Sequence, residues 1–236
     1  MGKLFKIGKL NIYLSYQRSL YSAQLGSLIY RCNICGETCQ AKVDKLGREI
    51  PSCPACGSTV RMRAIIHLLS TELFSKSLAL PDFPSRPEIK GVGLSDWKGY
   101  ANPLAQKLNY TNTFYHQEPK LDIANINPAF EGSLDFLIAS DVLEHVTPPV
   151  SVCFENMYKL LKPGGVVIFS VPYTPEGITQ EHFSDLHQYS ITKQNEHYIL
   201  RNITKDGHEQ IFENLVFHGG EGATLETRFS NFIAAR

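Results

Sequence analysis

The chain has 236 residues, 43% of them hydrophobic, a length that suits one full α/β domain and a small appendage. Its 23 basic and 23 acidic side chains give zero net charge, which provides no electrostatic argument for nucleic-acid binding. No apolar run approaches the roughly 18–20 residues that span a bilayer, and the N-terminus lacks the pattern of a signal peptide. We therefore expect a cytoplasmic protein.

Residues 1–31 contain basic side chains interleaved with apolar ones, and no acidic side chain. This pattern predicts a short strand or helix packed on the segment that follows. A basic amphipathic segment in weak contact with an anionic membrane surface or a partner is the alternative.

Five of the six cysteines are clustered in a segment that is rich in turn residues and poor in apolar ones. Such a segment needs disulfides or a bound metal ion to fold, and clustered CxxC pairs in a cytosolic protein favour a metal over disulfides. Two CxxCG motifs, at 32–36 and 53–57, each turn two thiolates towards one ion, which predicts a closed, structural zinc site. Cys39 could replace one ligand. The predicted ligands are Cys32, Cys35, Cys53 and Cys56.

Alternating strands and helices are predicted beyond the cysteines. Helical periodicity covers 61–79, and closely spaced prolines then predict a stiff linker. Helices are predicted to begin at Asn102-Pro103 and to cover 150–161. An Asp-Gly turn at 206–207 predicts a hairpin between 197–204 and 210–217. Buried strands are predicted over 89–94, 110–116, 134–140 and 166–171.

Strands separated by helices imply an α/β fold with a mainly parallel sheet. We predict three parts of the chain. The basic segment and the cysteine module occupy 1–60, the helix and proline-rich linker occupy 61–87, and the α/β domain occupies 88–236.

One long motif carries a resemblance to a known family. The segment LDFLIASDVLEHV at 134–146 leads through the predicted helix into LLKPGGVVIFSVP at 160–172. This pattern resembles class I S-adenosylmethionine-dependent methyltransferases, most closely the branch that acts on small molecules, lipids and glycans. A cysteine module ahead of such a domain also resembles bacterial methyltransferases of cell-surface glycan synthesis. The resemblance implies a Rossmann-like sheet with helices on both faces, ending in a further helix and two further strands. The hairpin could supply these strands in altered form, or the chain could be cut short.

In the family the methyl donor lies across the carboxyl ends of the strands, next to a glycine-rich turn. The sequence GVGLSD occupies that place, so the resemblance implies donor contacts at Gly91, Gly93 and Ser95. Asp96 could bind the amino group of the donor. The family usually shows an acidic residue followed by GxGxG, and this turn departs from that pattern.

Glu118 is predicted to lie at the end of the second strand of the α/β domain, and Asp122 follows shortly after it. The resemblance implies that Glu118 binds the ribose hydroxyls, because a carboxylate can accept two hydroxyl protons. It also implies that Asp122 lies near the adenine amino group and that Ile123 packs on the adenine ring.

The catalytic candidates follow the strand over 134–140. In the family this strand end, here Ser140 and Asp141, lies where the methyl group faces the acceptor. Methyl transfer mainly requires that the methyl group and the acceptor atom are aligned, and a base is needed only for a hydroxyl acceptor. His145 is the candidate base, and a purely structural role for it stays open. His182 and His187 are its rivals, and they could also form a second metal site.

Three functions follow from these features. The first is methyl transfer to a small-molecule, lipid-linked or glycan acceptor. The second is RNA methylation with the zinc module gripping the RNA; the basic N-terminal end favours it, whereas the zero net charge and the lack of an Asn-Pro-Pro-Tyr motif disfavour it. The third is a non-catalytic, zinc-organised relative, which the altered glycine turn suggests.

Overall fold

The computed structural model describes residues 3–7, 10–14, 26–172, 180–215, 217–218, 224–225 and 228–229. The chain divides into two compact units. The first unit comprises Met1–Asp122, Ile126–Ser140 and Met157–Ser170, and the second comprises Ile123–Asn125, Asp141–Asn156 and Val171–Arg236. No helix in the described parts is long and apolar enough to cross a membrane.

The first unit contains two short antiparallel hairpins, a parallel sheet and two complete helices. The hairpins are β1 (Lys3–Ile7) with β2 (Leu10–Leu14), and β3 (Leu28–Arg31) with β4 (Thr38–Ala41). The remaining elements in chain order are α1 (Val60–Phe74), β5 (Arg86–Leu94), α2 (Lys98–Lys107), β6 (Leu108–Thr113), β7 (Leu134–Ser140) and β8 (Leu161–Ser170). Helix α3 (Ser151–Leu160) connects β7 to β8.

The parallel sheet has the strand order β6-β5-β7-β8. Its first strand, β5, is central: the chain adds β6 on one side and then crosses to add β7 on the other. In such sheets ligands bind at the carboxyl ends of the strands where the winding reverses. This arrangement confirms the predicted Rossmann-like α/β fold and places the expected binding edge at the ends of β5 and β7.

The sheet is buried on both faces. Side chains alternate along a strand, so Phe136 and Ile138 of β7 face one side while Leu137 and Ala139 face the other. All four have 0% exposure, which accounts for the near-continuous apolar run in the sequence. Phe136 and Ile138 share one core cluster with buried side chains of α1 and α2: Ile65, Ile66, Leu69, Tyr100, Ala101 and Leu104.

The cysteine module belongs to the same core as the sheet. Cys32, Ile34, Cys39 and Cys53 lie in the cluster that contains Phe136. The three parts predicted over 1–60, 61–87 and 88–236 remain a prediction.

The predicted start of α2 was wrong. The helix begins at Lys98, and Pro103 lies in its interior. A proline inside a helix removes one hydrogen bond and costs about 3 kcal/mol. Tyr100, Ala101 and Leu104 are nearly fully buried, and each large apolar side chain so buried contributes roughly 1.5–3 kcal/mol. Packing on the sheet therefore outweighs the local penalty.

The second unit contains short antiparallel pairs and one three-stranded antiparallel sheet. The pairs are β9 (Gln180–Glu181) with β15 (Arg228–Phe229), and β13 (Phe217–His218) with β14 (Thr224–Leu225). The sheet has the order β10 (Gln188–Gln194), β11 (His197–Ile203) and β12 (Glu209–Phe212). Its small core consists of Phe183, Leu186, Leu200 and Leu225.

The predicted Asp-Gly hairpin is confirmed as β11 and β12, and Gly207 has the positive φ of such a turn. Of the two possibilities for the further strands, the described residues do not show the hairpin in the parallel sheet, since it pairs with β10. A second turn, at Asn195-Glu196, joins β10 to β11 with positive φ at both residues. Glutamate is not a typical residue for such a turn, which hid β10 from the sequence analysis.

Candidate functional site

The four predicted metal ligands meet in the structure. The sulfurs of Cys32, Cys35, Cys53 and Cys56 lie within 4.8 Å of one another. The Cys32 and Cys56 sulfurs are 3.8 Å apart, and those of Cys35 and Cys53 are 3.6 Å apart. A tetrahedral zinc with sulfurs at about 2.3 Å has sulfur–sulfur edges of about 3.8 Å. The cluster can therefore hold one such ion.

Both CxxCG motifs fold into matching turns. The Gly36 N–H donates to the carbonyl of Cys32, and the Gly57 N–H donates to the carbonyl of Cys53, each at 2.8 Å. Both glycines have positive φ, of 85° and 73°, a conformation that a residue with a Cβ rarely adopts. The glycines after the second cysteines are thus required by the backbone of the turns.

Burial shapes the acidity of the thiols. It raises the pKa of Cys35 well above its usual value, and burial with the neighbouring sulfur of Cys53 raises the pKa of Cys39 to about 11. Burial also disfavours the Cys53 thiolate, but hydrogen bonds from the Cys56 backbone and the Cys39 thiol outweigh it and lower the pKa of Cys53 to about 6. A divalent cation is the group that would hold all four ligands as thiolates.

Cys39 lies outside the set of four mutually close ligands. Its sulfur is 3.4 Å from that of Cys53, closer than the edge of a zinc–sulfur tetrahedron. Cys39 therefore fits a supporting position beside the cluster.

Gly91 and Gly93, predicted to form a glycine-rich turn, lie within β5 near its carboxyl end, and the turn follows at Ser95 and Asp96. A Cβ at Gly93 would overlap the Asp96 carboxylate and the Tyr110 hydroxyl, so only glycine fits there. A Cβ at Gly91 would overlap the ring of Phe136, which makes Gly91 a packing requirement of the sheet. Ser95 is exposed and has a φ of 60°, an uncommon left-handed conformation directly after the strand.

Asp96 organises this turn from inside. Its carboxylate accepts hydrogen bonds from the hydroxyls of Tyr100 at 2.7 Å and Tyr110 at 2.5 Å, and the residue is 5% exposed. Its backbone exchanges two hydrogen bonds with the side chain of Asn112, each at 2.8 Å. Burial raises the pKa of Asp96 to about 6, against the opposing effect of the tyrosine hydroxyls and Arg61. Donor binding by Asp96 remains a prediction.

Ser140 ends β7, and an arginine that the sequence analysis missed reaches it. Arg61 Nη1 donates to the Ser140 hydroxyl at 2.5 Å, while Arg61 Nε and Nη2 donate to the two carboxylate oxygens of Glu49 at 2.7 and 2.8 Å. The Ser140 hydroxyl also lies 3.0 Å from that of Ser170 at the end of β8. A cation is disfavoured at a helix N-terminus, and this was the available signal for Arg61.

Glu118 does not end a strand as predicted. Strand β6 stops at Thr113, and Glu118 lies exposed in the following turn, where its carboxylate accepts the N–H of Lys120 at 3.0 Å. Asp122 is half-buried, and Ile123, in the second unit, is buried with its carbonyl accepting from Asn156 Nδ2. The donor contacts assigned to these three residues remain predictions.

The second unit contains the catalytic candidates Asp141 and His145. Asp141 has a φ of 53°, which is uncommon for a residue other than glycine. His145 lies in a short 3-10 turn, and its Nδ1 is 3.0 Å from the carbonyl of Leu225. Since a carbonyl only accepts, Nδ1 carries the proton, which makes Nε2 the basic nitrogen of the neutral ring.

His182 and His187, the alternative candidates for the base, do not form a metal site with a third ligand in the described residues. His182 lies against the ring of Phe183, and His187 is exposed with its backbone N–H donating to Asn202. Within the described ranges they do not join a third ligand, since the cysteines form the one metal-like group found there.

A family model described as a methyltransferase domain matches residues 100–169. The match extends from α2 to β8 and supports a class I S-adenosylmethionine-dependent methyltransferase domain. A similar solved structure is the PH0226 protein from Pyrococcus horikoshii OT3, which is 11% identical. The alignment covers 73% of this chain and 91% of that chain with a TM-score of 0.29, too low to bear on function. No curated protein matches the sequence.

Proposed function

We propose that the protein transfers a methyl group from S-adenosylmethionine to a small-molecule, lipid-linked or glycan acceptor. The observation that carries the proposal is the winding reversal at the carboxyl ends of β5 and β7, with Gly93 near the end of β5 at a position that admits no side chain. The family match over residues 100–169 supports it.

S-adenosylmethionine supplies an electrophilic methyl group that needs no further activation, so the protein's task is alignment. The end of β5 at Gly93 and the following turn at Ser95 would offer backbone groups to the methionine end of the donor. Glu118 or Asp122 would accept from the ribose hydroxyls, and Ile123 would pack on the adenine ring. The buried bonds of Asp96 keep the turn rigid before the donor binds.

A hydroxyl acceptor requires a base, and His145 is our candidate. Its Nδ1 donates to the Leu225 carbonyl, which orients the ring and leaves the lone pair on Nε2. Asp141, held in an uncommon backbone conformation, is the second candidate for contact with the acceptor.

Zinc is the proposed ion of the cysteine cluster. Four sulfurs at tetrahedral spacing leave no open position, which is typical of a structural site rather than a catalytic one. Zinc bound there would supply folding free energy, of order 10 kcal/mol in small modules.

Calorimetry with S-adenosylmethionine and S-adenosylhomocysteine tests the donor site. Both should bind the wild-type protein, and Gly93→Ala should weaken binding about tenfold or more, equivalent to at least about 1.4 kcal/mol, because the added Cβ displaces the turn. Gly26→Ala is the control, since nothing lies within 4 Å of a Cβ there. Absence of binding by the wild-type protein would favour the non-catalytic relative.

The acceptor class is tested with a donor labelled on its methyl group. Incubation with cell-envelope extracts should transfer the label to glycan or lipid-linked material, which mass spectrometry then identifies. Transfer to total RNA instead would replace the proposed acceptor with RNA.

A further inference from the structure

Arg61 lies in an electrostatically unfavourable place. It is in the first turn of α1, just after the second cysteine motif, and that turn contains no acidic residue. The positive end of the helix dipole repels a cation there, so the dipole does not explain the residue. Its role must come from what the side chain reaches.

The guanidinium reaches the expected binding edge of the sheet. It donates to Ser140, the last residue of β7, at 2.5 Å. Strand β7 pairs with β5 up to Gly93 and Ile138, so the end of β7 lies beside the end of β5. The charge of Arg61 also lowers the pKa of Asp96, against the effect of burial. Arg61 thus stands by the ends of the two strands that flank the winding reversal.

Glu49 fixes the orientation of this guanidinium. Two parallel hydrogen bonds, of 2.7 and 2.8 Å, hold Arg61 Nε and Nη2, while Nη1 points to Ser140. The Arg61 side chain is 18% exposed, so part of it remains accessible to a ligand. A partly buried, oriented guanidinium is the group that proteins use to recognise carboxylates.

We propose that Arg61 binds the carboxylate of the methionine moiety of S-adenosylmethionine. The proposal rests on the proposed function and deepens it. S-adenosylmethionine has one carboxylate, at its methionine end. Arg61 is oriented at the carboxyl ends of β5 and β7, where that end of the donor is expected. Helix α1, which follows the cysteine motifs, would then supply this contact with the donor.

Two ligands that differ in the amino-acid end test this assignment by calorimetry. S-adenosylhomocysteine has the carboxylate, whereas 5′-methylthioadenosine lacks the whole amino-acid end. Arg61→Ala should weaken S-adenosylhomocysteine binding about 10- to 100-fold and leave methylthioadenosine binding within about twofold. Arg61→Lys should fall between, because lysine keeps the charge but loses the planar pair of donors.

Arg48→Ala is the matched control. Arg48 also pairs with Glu49, at 2.5 Å, and its loss should leave the binding of both ligands unchanged. Thermal unfolding and metal content of each variant verify that it is folded.

The outcomes separate the two proposals. Unchanged S-adenosylhomocysteine binding by Arg61→Ala, or equal loss for both ligands, would overturn the role of Arg61 while the donor site stands. Failure of the wild-type protein to bind either ligand would overturn the proposed function itself.

Discussion

Asp96 shows how one buried residue can hold the candidate binding edge in shape. Its carboxylate joins α2 to β6 through the hydroxyls of Tyr100 and Tyr110, and its backbone is tied to Asn112. The negative charge in turn raises the pKa of Tyr110, after the larger effect of burial. The turn is therefore fixed by side chains of two elements, α2 and β6.

This burial predicts a pH dependence of stability. The pKa of Asp96 rises from 3.8 to about 6 on folding, so between these values the folded state keeps a proton that the unfolded state has released. The free energy of unfolding should therefore fall as pH rises from about 4 to about 6, by at most about 3 kcal/mol from this group.

Urea unfolding of the wild-type protein and of Asp96→Asn at several pH values measures the effect. Asparagine does not titrate, so the difference between the two proteins isolates the carboxyl group. The wild-type protein should lose stability relative to the variant as pH rises. Parallel pH profiles would mean that Asp96 is ionised in the folded state over this whole range.

The elements show where local signals succeed and where packing overrides them. The strand β7 was predicted with its observed bounds, because an apolar run bounded by polar residues encodes a strand buried on both faces. Helix α2 was misplaced because Asn102-Pro103 is a strong local start signal, yet Tyr100 already packs in the core. Packing overrides a local helix-start signal where the burial of side chains contributes more free energy than the signal does.

The cysteine turns carry a prediction at this scale. Cys53→Ser removes a ligand and should abolish stoichiometric zinc, because a closed site tolerates no missing thiolate. Cys39→Ser is the matched control and should retain about one zinc per chain, since Cys39 lies beside the set. Metal analysis of the purified variants measures both. If Cys53→Ser retained zinc and Cys39→Ser lost it, Cys39 would be the ligand and Cys53 the supporting residue.

Considered as a whole, the first unit has one core that runs from the cysteine cluster to the sheet. Cys53 and Phe136 belong to the same cluster, and the Asn33 carbonyl accepts the Leu80 N–H at 2.8 Å beyond α1. Ion pairing of Arg31 with Asp82 adds a further link. Loss of the metal should therefore destabilise parts of the first unit well outside residues 32–56.

Chelation should accordingly destabilise the parallel sheet and not only the cysteine turns. Hydrogen exchange after treatment with a chelator should show faster exchange at the amides of β7, because packing transmits the loss through the shared core. Exchange in β11, which belongs to the second unit, serves as the internal reference. Unchanged protection of β7 would show that the module and the sheet unfold independently.

The sequence by itself determined the cysteine cluster and the class of fold. Spacing within two short motifs brings four cysteines together, and alternating apolar strands and helices require a parallel sheet, so both are encoded locally. The strand order could be anticipated only through the family resemblance.

Tertiary structure alone decided which side chains meet at the candidate binding edge. Arg61 and Ser140 are separated by 79 positions, and no periodicity or motif links them. They meet because the shared core seats the start of α1 against the end of β7. Asp96, by contrast, was noticed for its position, but its burial beneath two tyrosines depends on how α2 and β6 pack. Contacts between distant segments follow from packing, which no local pattern records.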